Sequence, residues 1–296
     1  MKHTNVLLYL TRGFLIAAVI LLPTSVMAGS PWQWQTSLRI MEEENYMYMP
    51  ASVEFDTKNE RYYVVDTGRN RLVSFDRKGK VLSAFTADFQ LKSPFDMARL
   101  DNGTLWVVEK GRNSLTFIDV PNRKRIPRVV KDGGRLVFPD RIAASEGKLY
   151  VLDRSSGQVL RLNDKLAVEQ RYGCSDCTFG LVDFVIVNGS VWALEPRDRK
   201  VFRFNDDGSV AEEIPLGGKL EFPVSLAVEP SGIMYILDRH QNKVLVYDKY
   251  GNFSYSFLGP GQANDELYFP RQIRIDPWGQ LCIVDEGNGR VAIYRQ

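Results

Sequence analysis

A glycine stands six residues ahead of an acid, with aliphatic, β-branched or aromatic residues between, at regular intervals along this chain. The pattern runs Gly103-Thr-Leu-Trp-Val-Val-Glu109, Gly147-Lys-Leu-Tyr-Val-Leu-Asp153, Gly189-Ser-Val-Trp-Ala-Leu-Glu195, Gly232-Ile-Met-Tyr-Ile-Leu-Asp238 and Gly279-Gln-Leu-Cys-Ile-Val-Asp285. An earlier copy, Glu60-Arg-Tyr-Tyr-Val-Val-Asp66, lacks only the glycine. The acids lie 43, 44, 42, 43 and 47 residues apart. Repeats of this length in a β-rich chain are four-stranded units that bury their faces by packing on their neighbours.

Each copy carries the same parts. A proline opens a strand at Pro50, Pro94, Pro139, Pro223 and Pro270, with Leu181 in that place in the fourth copy. A short apolar strand leads to a tight turn such as Asn102-Gly103 or Ser231-Gly232, pairs that suit hairpins because glycine accepts positive φ. The second strand ends at the acid. A polar loop, a third strand, a second turn such as Lys78-Gly79 or Asp207-Gly208, and a fourth strand follow. No long stretch after residue 28 has helical periodicity. The expected fold is all-β: a six-bladed β-propeller of four-stranded antiparallel blades.

The sixth copy stops short. Its third strand, Arg290 to Tyr294, runs into the C-terminus at Gln296. At the other end, residues 33–41 belong to no complete copy. They are expected to pair with residues 290–295, so that the N-terminal strand closes the last blade and covers an open edge. Leu38 and Ile40 fall on one face of that strand. Burying them contributes roughly 3–6 kcal/mol before entropy losses. Trp32 and Trp34 beside it offer either an aromatic patch or a cover for the outside of the last blade.

Residues 259–290 run Gly-Pro-Gly-Gln-Ala-Asn-Asp-Glu-Leu-Tyr-Phe-Pro, then Asp276-Pro-Trp-Gly279, then Asp285-Glu-Gly-Asn288-Gly-Arg290. The Gly-rich lead, the Phe-Pro and the Asp-to-Arg spacing resemble the NHL repeat family. The resemblance covers residues 46–296 and is strong in the first, fifth and sixth copies. The middle copies are degenerate: Ser114 stands where the family carries arginine, and the fourth copy lacks the proline. The resemblance implies a six-bladed propeller with a binding role more often than catalysis, although a fold alone assigns no chemistry.

Lys2, His3 and Arg12 precede and flank an apolar run from Gly13 to Leu22, and Val26-Met27-Ala28 closes the segment with small residues. This reads as a signal peptide over residues 1–28, cleaved after Ala28, leaving one propeller domain over 29–296 in the periplasm or outside the cell. The run is short for a membrane span. Without residues 1–28 the chain has 36 basic and 36 acidic side chains. A balanced chain has no bulk attraction for phosphate backbones, so nucleic acid is not an expected partner. A protein partner in the cell envelope is expected, and the protein is expected to be a monomer.

Three sets of residues are candidates for function. The residue two after each proline is expected to face the channel: Ser52, Asp96, Arg141, Asp183, Ser225 and Gln272. The acid–base–acid series Asp96, Arg141, Asp183 suits a polar ligand or a cation, or else an internal ion-pair cluster. The strand-end acids, from Asp66 to Asp285, suggest either a calcium ring or carboxylates bound by their own following loops, at Asn70, Asn113 or Asn242. Six equivalent copies favour the structural role. The loops beyond them carry Arg69, Arg112, Arg154, Arg197 and Arg239, suited to carboxylate or phosphate groups on a partner.

Cys174-Ser-Asp-Cys177 is followed by Thr178 rather than histidine, which excludes covalent haem. In an exported protein the pair is expected to form a local disulfide. Cys282 reads as core. With His240 the single histidine after residue 28, a histidine-rich zinc site of the amidating-lyase kind is excluded. No metal and no cofactor are expected, and no catalytic set stands out. The leading reading is therefore a non-catalytic binding propeller. The alternative is a calcium-dependent hydrolase or lactonase of the six-bladed type, with Asp96 and Asp183 as its channel acids. A redox accessory role through Cys174 and Cys177 is a further reading.

Overall fold

The computed structural model describes residues 30–296, apart from 89, 120, 121, 123, 176 and 178. The expected signal peptide and its cleavage point lie outside the described residues. The rest is a ring of six four-stranded antiparallel sheets. Their innermost strands are Pro50–Asp56, Pro94–Arg99, Pro139–Ser145, Asp183–Val187, Pro223–Val228 and Pro270–Ile275. Each second strand ends on the repeated acid.

The last blade is completed from the other end of the chain. Strand Gln33–Leu38 pairs antiparallel with Arg290–Arg295, from Gln33 opposite Arg295 to Leu38 opposite Val291. Leu38 and Ile40 are buried in the seam between the sixth and first blades, with Val284, Val291, Val53 and Tyr62. Trp32 is buried in the seam between the fifth and sixth blades. It meets Tyr235 edge-on at 5.5 Å and stacks with Phe257 at 6.4 Å. Trp34 is half-exposed within the closing strand. One short N-terminal segment thus fills both seams of the blade it completes.

Every seam between neighbouring blades is an apolar cluster drawn from both. The sheets hold together face to face, as a ring of stacked repeats must. A feature outside the repeat is the two-residue hairpin Lys131–Asp132 and Arg135–Leu136 between the second and third blades. Gly133 and Gly134 turn it with φ of 56° and 90°, the signature of a tight hairpin turn.

The strand-end acids are all fully buried and all hold backbone on one face of the ring, here called upper. Asp66 accepts from Tyr48 N at 2.8 Å, Glu109 from Lys92 N at 2.6 Å, and Asp153 from Phe138 N at 2.9 Å. Glu221 N donates to Asp238 at 2.6 Å and Tyr268 N to Asp285 at 2.8 Å. Each of these carboxylates fastens the loop that leads into its own blade. Some also accept from the loop that follows: Ser155 and Ser156 on Asp153, Arg197 N and Asp198 N on Glu195, His240 N and Gln241 N on Asp238. Asn70 and Asn242 do not serve their own acids as the sequence suggested. Their side-chain oxygens accept from Ser93 N and Phe269 N on the next blade.

The Asp-to-Arg spacing has a matching cause. Arg71 and Arg290 reach back to Asp66 and Asp285 at 2.7 and 2.8 Å, and their far nitrogens cap lead-in carbonyls at Asn45 and at Ala263 and Glu266. In the second blade Ser114 is too short for this. There the Thr116 hydroxyl donates to Glu109, and Arg112 and Arg125 lie within 3.5 and 3.9 Å of it.

Candidate ligand-binding site

The innermost strand of each blade is an edge strand facing the channel, so its N–H groups need partners. The residues two after each proline supply several of them. Gln272 accepts from Val53 N at 2.9 Å, and Asp96 from Ile142 N at 3.1 Å. Asp183 accepts from Leu226 N at 3.1 Å, and Ser225 from Ile273 N at 3.1 Å. In each case the acceptor reaches to the next blade. Ser52, Asp96, Arg141, Asp183, Ser225 and Gln272 are all buried, and together they form a polar waist across the channel.

Asp183 also takes a bidentate ion pair from Arg274, with both contacts at 2.8 Å, and the hydroxyl of Ser225. Burial pushes the Asp183 carboxyl up, but Arg274, Arg141 and Ser225 outweigh it and hold the carboxyl below its ordinary range. At Asp96 burial wins over Arg141 and Arg274, and the carboxyl is raised. Arg141 is the donor in a ring of acceptors. Its Nη2 donates to the Arg271 carbonyl at 3.3 Å, and its Nε lies 3.7 Å from Asp183. Its Nε and Nη1 are buried without a hydrogen-bond partner among the described residues.

Above the waist lies a cavity of about 690 Å³. Arg141 forms part of its floor. In five of the six blades a bulge follows the proline, so that one extra residue stands between the proline and the waist residue. Four of these, Phe95, Asp140, Val224 and Arg271, are turned into the cavity. This is the usual use of a bulge beside a site. Lys110, Arg197, Arg199, Arg239, Phe179 and Phe222 complete most of the wall. Lys110 sits 3.1 Å from the centre of the Phe95 ring, with Arg141 and Arg271 at 5.0 and 5.2 Å. Burial, with Arg141 and Arg271 nearby, lowers the Lys110 ammonium against the pull of Asp140.

Six cations line the cavity against two acids, Asp140 and Glu221, and a third acid, Glu286, pairs with Arg239 and Arg271. Residues 29–296 as a whole are balanced, so the excess is local. Of the five rim arginines, the structure brings only Arg197 and Arg239 to this cavity. Arg197 stacks over Phe179 at 5.0 Å, and Arg239 binds Glu286 at 2.8 Å. Arg69 is tied to the Tyr46 carbonyl and Arg112 to the Gln90 carbonyl, and Arg154 is exposed. Sequence reasoning missed Phe95, Asp140 and Arg271. The bulge that aims them is signalled only by their place directly after the strand-opening proline.

Cys174 and Cys177 form a disulfide, and Cys282 is a buried free thiol. The disulfide lies in the loop that carries Phe179 to the cavity. The loop is pinned at Gly180, where Leu181 N donates to Gly157 O at 2.9 Å. A Cβ on Gly157 would fall 2.6 Å from Gly180 Cα. Gly157→Ala is therefore expected to destabilise the protein by about 2 kcal/mol or more in thermal melts. Gly189→Ala, also at positive φ but with nothing within 4 Å, is expected to cost only about 1–2 kcal/mol.

The channel acids do not suit calcium. Asp96 spends its oxygens on Met97 N, Ile142 N and Gln272, and Asp183 is bound by Arg274. Among the described residues no group of three or more His, Cys, Asp or Glu side chains is placed to hold a metal ion. No described helix is long and apolar enough to cross a membrane.

No protein-family model matches the chain, and no curated protein matches its sequence. Solved structures do match it in fold. A gluconolactonase from Xanthomonas campestris has a TM-score of 0.65 at 14% identity, over 91% of this chain and 98% of its own. Virginiamycin B lyase from Staphylococcus aureus has a TM-score of 0.62 at 15% identity, over 83% and 80%. An auxiliary nutrient binding protein from Bacteroides thetaiotaomicron has 0.63 at 12%, over 84% and 70%. At such identities the likeness is one of fold. The chain is a six-bladed β-propeller.

Proposed function

We propose that this is an exported, non-catalytic propeller of the NHL type, and that it holds an anionic group in the cavity above its channel. The anion belongs to a small ligand or to an acidic side chain of a protein partner in the cell envelope. The observation that carries the reading is Arg141, whose Nη1 is buried without a hydrogen-bond partner at the floor of a cavity where Arg197 and Arg199 add cations with no ion pair among the described residues. A guanidinium N–H left without an acceptor in a low-dielectric site is costly, and an oxygen of a carboxylate or phosphate would accept from it. The disulfide supports export. The calcium-dependent hydrolase is the weaker reading, because the channel acids are engaged elsewhere.

Titration calorimetry of the mature protein with benzoate, inorganic phosphate and an oligoglutamate peptide tests this. At least one is expected to bind. Arg141→Met is expected to weaken it about 10- to 100-fold, the value of a charge-assisted hydrogen bond of about 1.5–3 kcal/mol. The exposed pair Arg197→Glu with Arg199→Glu is expected to weaken it as well, without touching the buried waist. No binding of any probe, or binding indifferent to both sets, would overturn the reading.

A further inference from the structure

Below the waist the channel opens again. A second cavity, of about 410 Å³, shares no lining residue with the upper one. It reaches the lower face at the hairpin turns of Asn188 and Pro230. Its walls are in part apolar, with Ala143, Val185, Ala227 and Ile275 among them. Four polar side chains meet it from above and beside: Glu54, Asp96, Gln272 and Arg274.

Three of these four are engaged. Asp96 and Gln272 hold backbone N–H groups across the waist. Arg274 gives its guanidinium to Asp183, Ser225 and two carbonyls. Glu54 is different. It is half-buried, and among the described residues its one hydrogen bond is a long one, from Arg99 N to Oε1 at 3.4 Å. Among the described residues no side chain donates a hydrogen bond to its carboxyl. The Arg99 guanidinium is turned to Asp56 instead, at 3.3 Å.

The charges of the channel do not balance. Glu54, Asp96 and Asp183 face only two guanidiniums, Arg141 and Arg274. With all three acids ionised one negative charge is left over, that of Glu54, which has no guanidinium of its own. We infer that this lower cup is a binding site for a small organic cation with an apolar body, an alkylammonium or quaternary ammonium, with Glu54 as its counter-charge. The donor set speaks for an organic cation over a metal ion: one carboxyl without a side-chain partner and walls in part apolar satisfy an ammonium, while a bare metal ion needs several oxygens.

Burial, then the neighbouring Asp96, push the Glu54 carboxyl up to about 8 against Arg274. In the empty cup it is therefore largely protonated at pH 7. A bound cation favours the ionised form, so binding at pH 7 releases a proton. Affinity rises as pH rises toward 8, approaching tenfold per unit below it, and then levels off.

The site stands or falls independently of the upper cavity. Its probes are tetramethylammonium chloride and n-butylammonium chloride, with sodium chloride as the control. Titration calorimetry on the mature protein at pH 7, in two buffers of different ionisation enthalpy, is expected to show close to one proton released per cation bound. Affinity is expected to rise at least fivefold from pH 6 to pH 8. Glu54→Gln is expected to lose at least tenfold in affinity and all of the pH dependence, with anion binding at the upper cavity unchanged. No binding of either ammonium, displacement by equal sodium, or binding without proton release overturns the proposal. The proton measurement on the unaltered protein decides even if Glu54→Gln does not fold.

Discussion

A chain that begins at residue 42 is expected to melt at least about 10 °C below one that begins at residue 29. Three apolar side chains, Trp32, Leu38 and Ile40, lose their burial. At about 1.5–3 kcal/mol each this removes roughly 5–9 kcal/mol, and in a domain of this size each kcal/mol moves the midpoint by about 2–4 °C. The truncation also uncovers the edge of Arg290–Arg295, which now pairs with Gln33–Leu38. An open edge recruits other chains, so the shortened protein is expected to associate as well as melt early. Leu38→Ala isolates the packing part: it leaves the ladder intact and is expected to cost about 2–5 kcal/mol. Calorimetry with sedimentation reads both effects. Equal melting temperatures for the two chains would show that the ring closes without its N-terminal strand.

That strand was legible in the sequence because closure is a matter of counting. Five copies have four strands, the sixth has three, and one strand is left over at the other end. A proline sets the start of five inner strands, and the residue two beyond it recurs in register; the structure buries all six residues of that series. The lower cup follows the same register two residues further on, where Ala98, Ala143, Val185 and Ala227 stand in four blades and charges in the other two, Glu54 and Arg274. That break in an otherwise apolar series was the available signal. The upper cavity left a fainter trace. Phe95, Asp140 and Arg271 differ in chemistry, and only the bulge makes them neighbours. Phe179 comes from the loop between blades, where no repeat constrains position. The rim arginines show the opposite case: five matching sequence positions, of which two line the cavity, because Arg69 and Arg112 are drawn onto carbonyls of their own face.

Asp183→Ala is expected to destabilise the protein by about 3–5 kcal/mol, the usual result of stripping one partner from a buried ion pair. Asp183 is fully buried, and its loss leaves Arg274 facing Ser225 and two carbonyls with no counter-charge of comparable geometry. The backbone N–H of Leu226 loses its acceptor as well. The cost belongs to the orphaned guanidinium more than to the absent carboxylate, so the double variant Asp183→Leu with Arg274→Met is expected to recover much of it. The pH dependence has a definite sign. Because the folded protein holds the Asp183 carboxyl below its ordinary range, the pair's stabilisation is fully present above the unfolded-state value near 4 and is lost as pH falls through the lower folded-state value. Urea titrations between pH 6 and pH 2.5 are expected to show this acid-side loss in the unaltered protein and a shallower one in the double variant. A double variant as unstable as Asp183→Ala would mean that the charge, and not the filled space, is what holds the six inner strands around the channel.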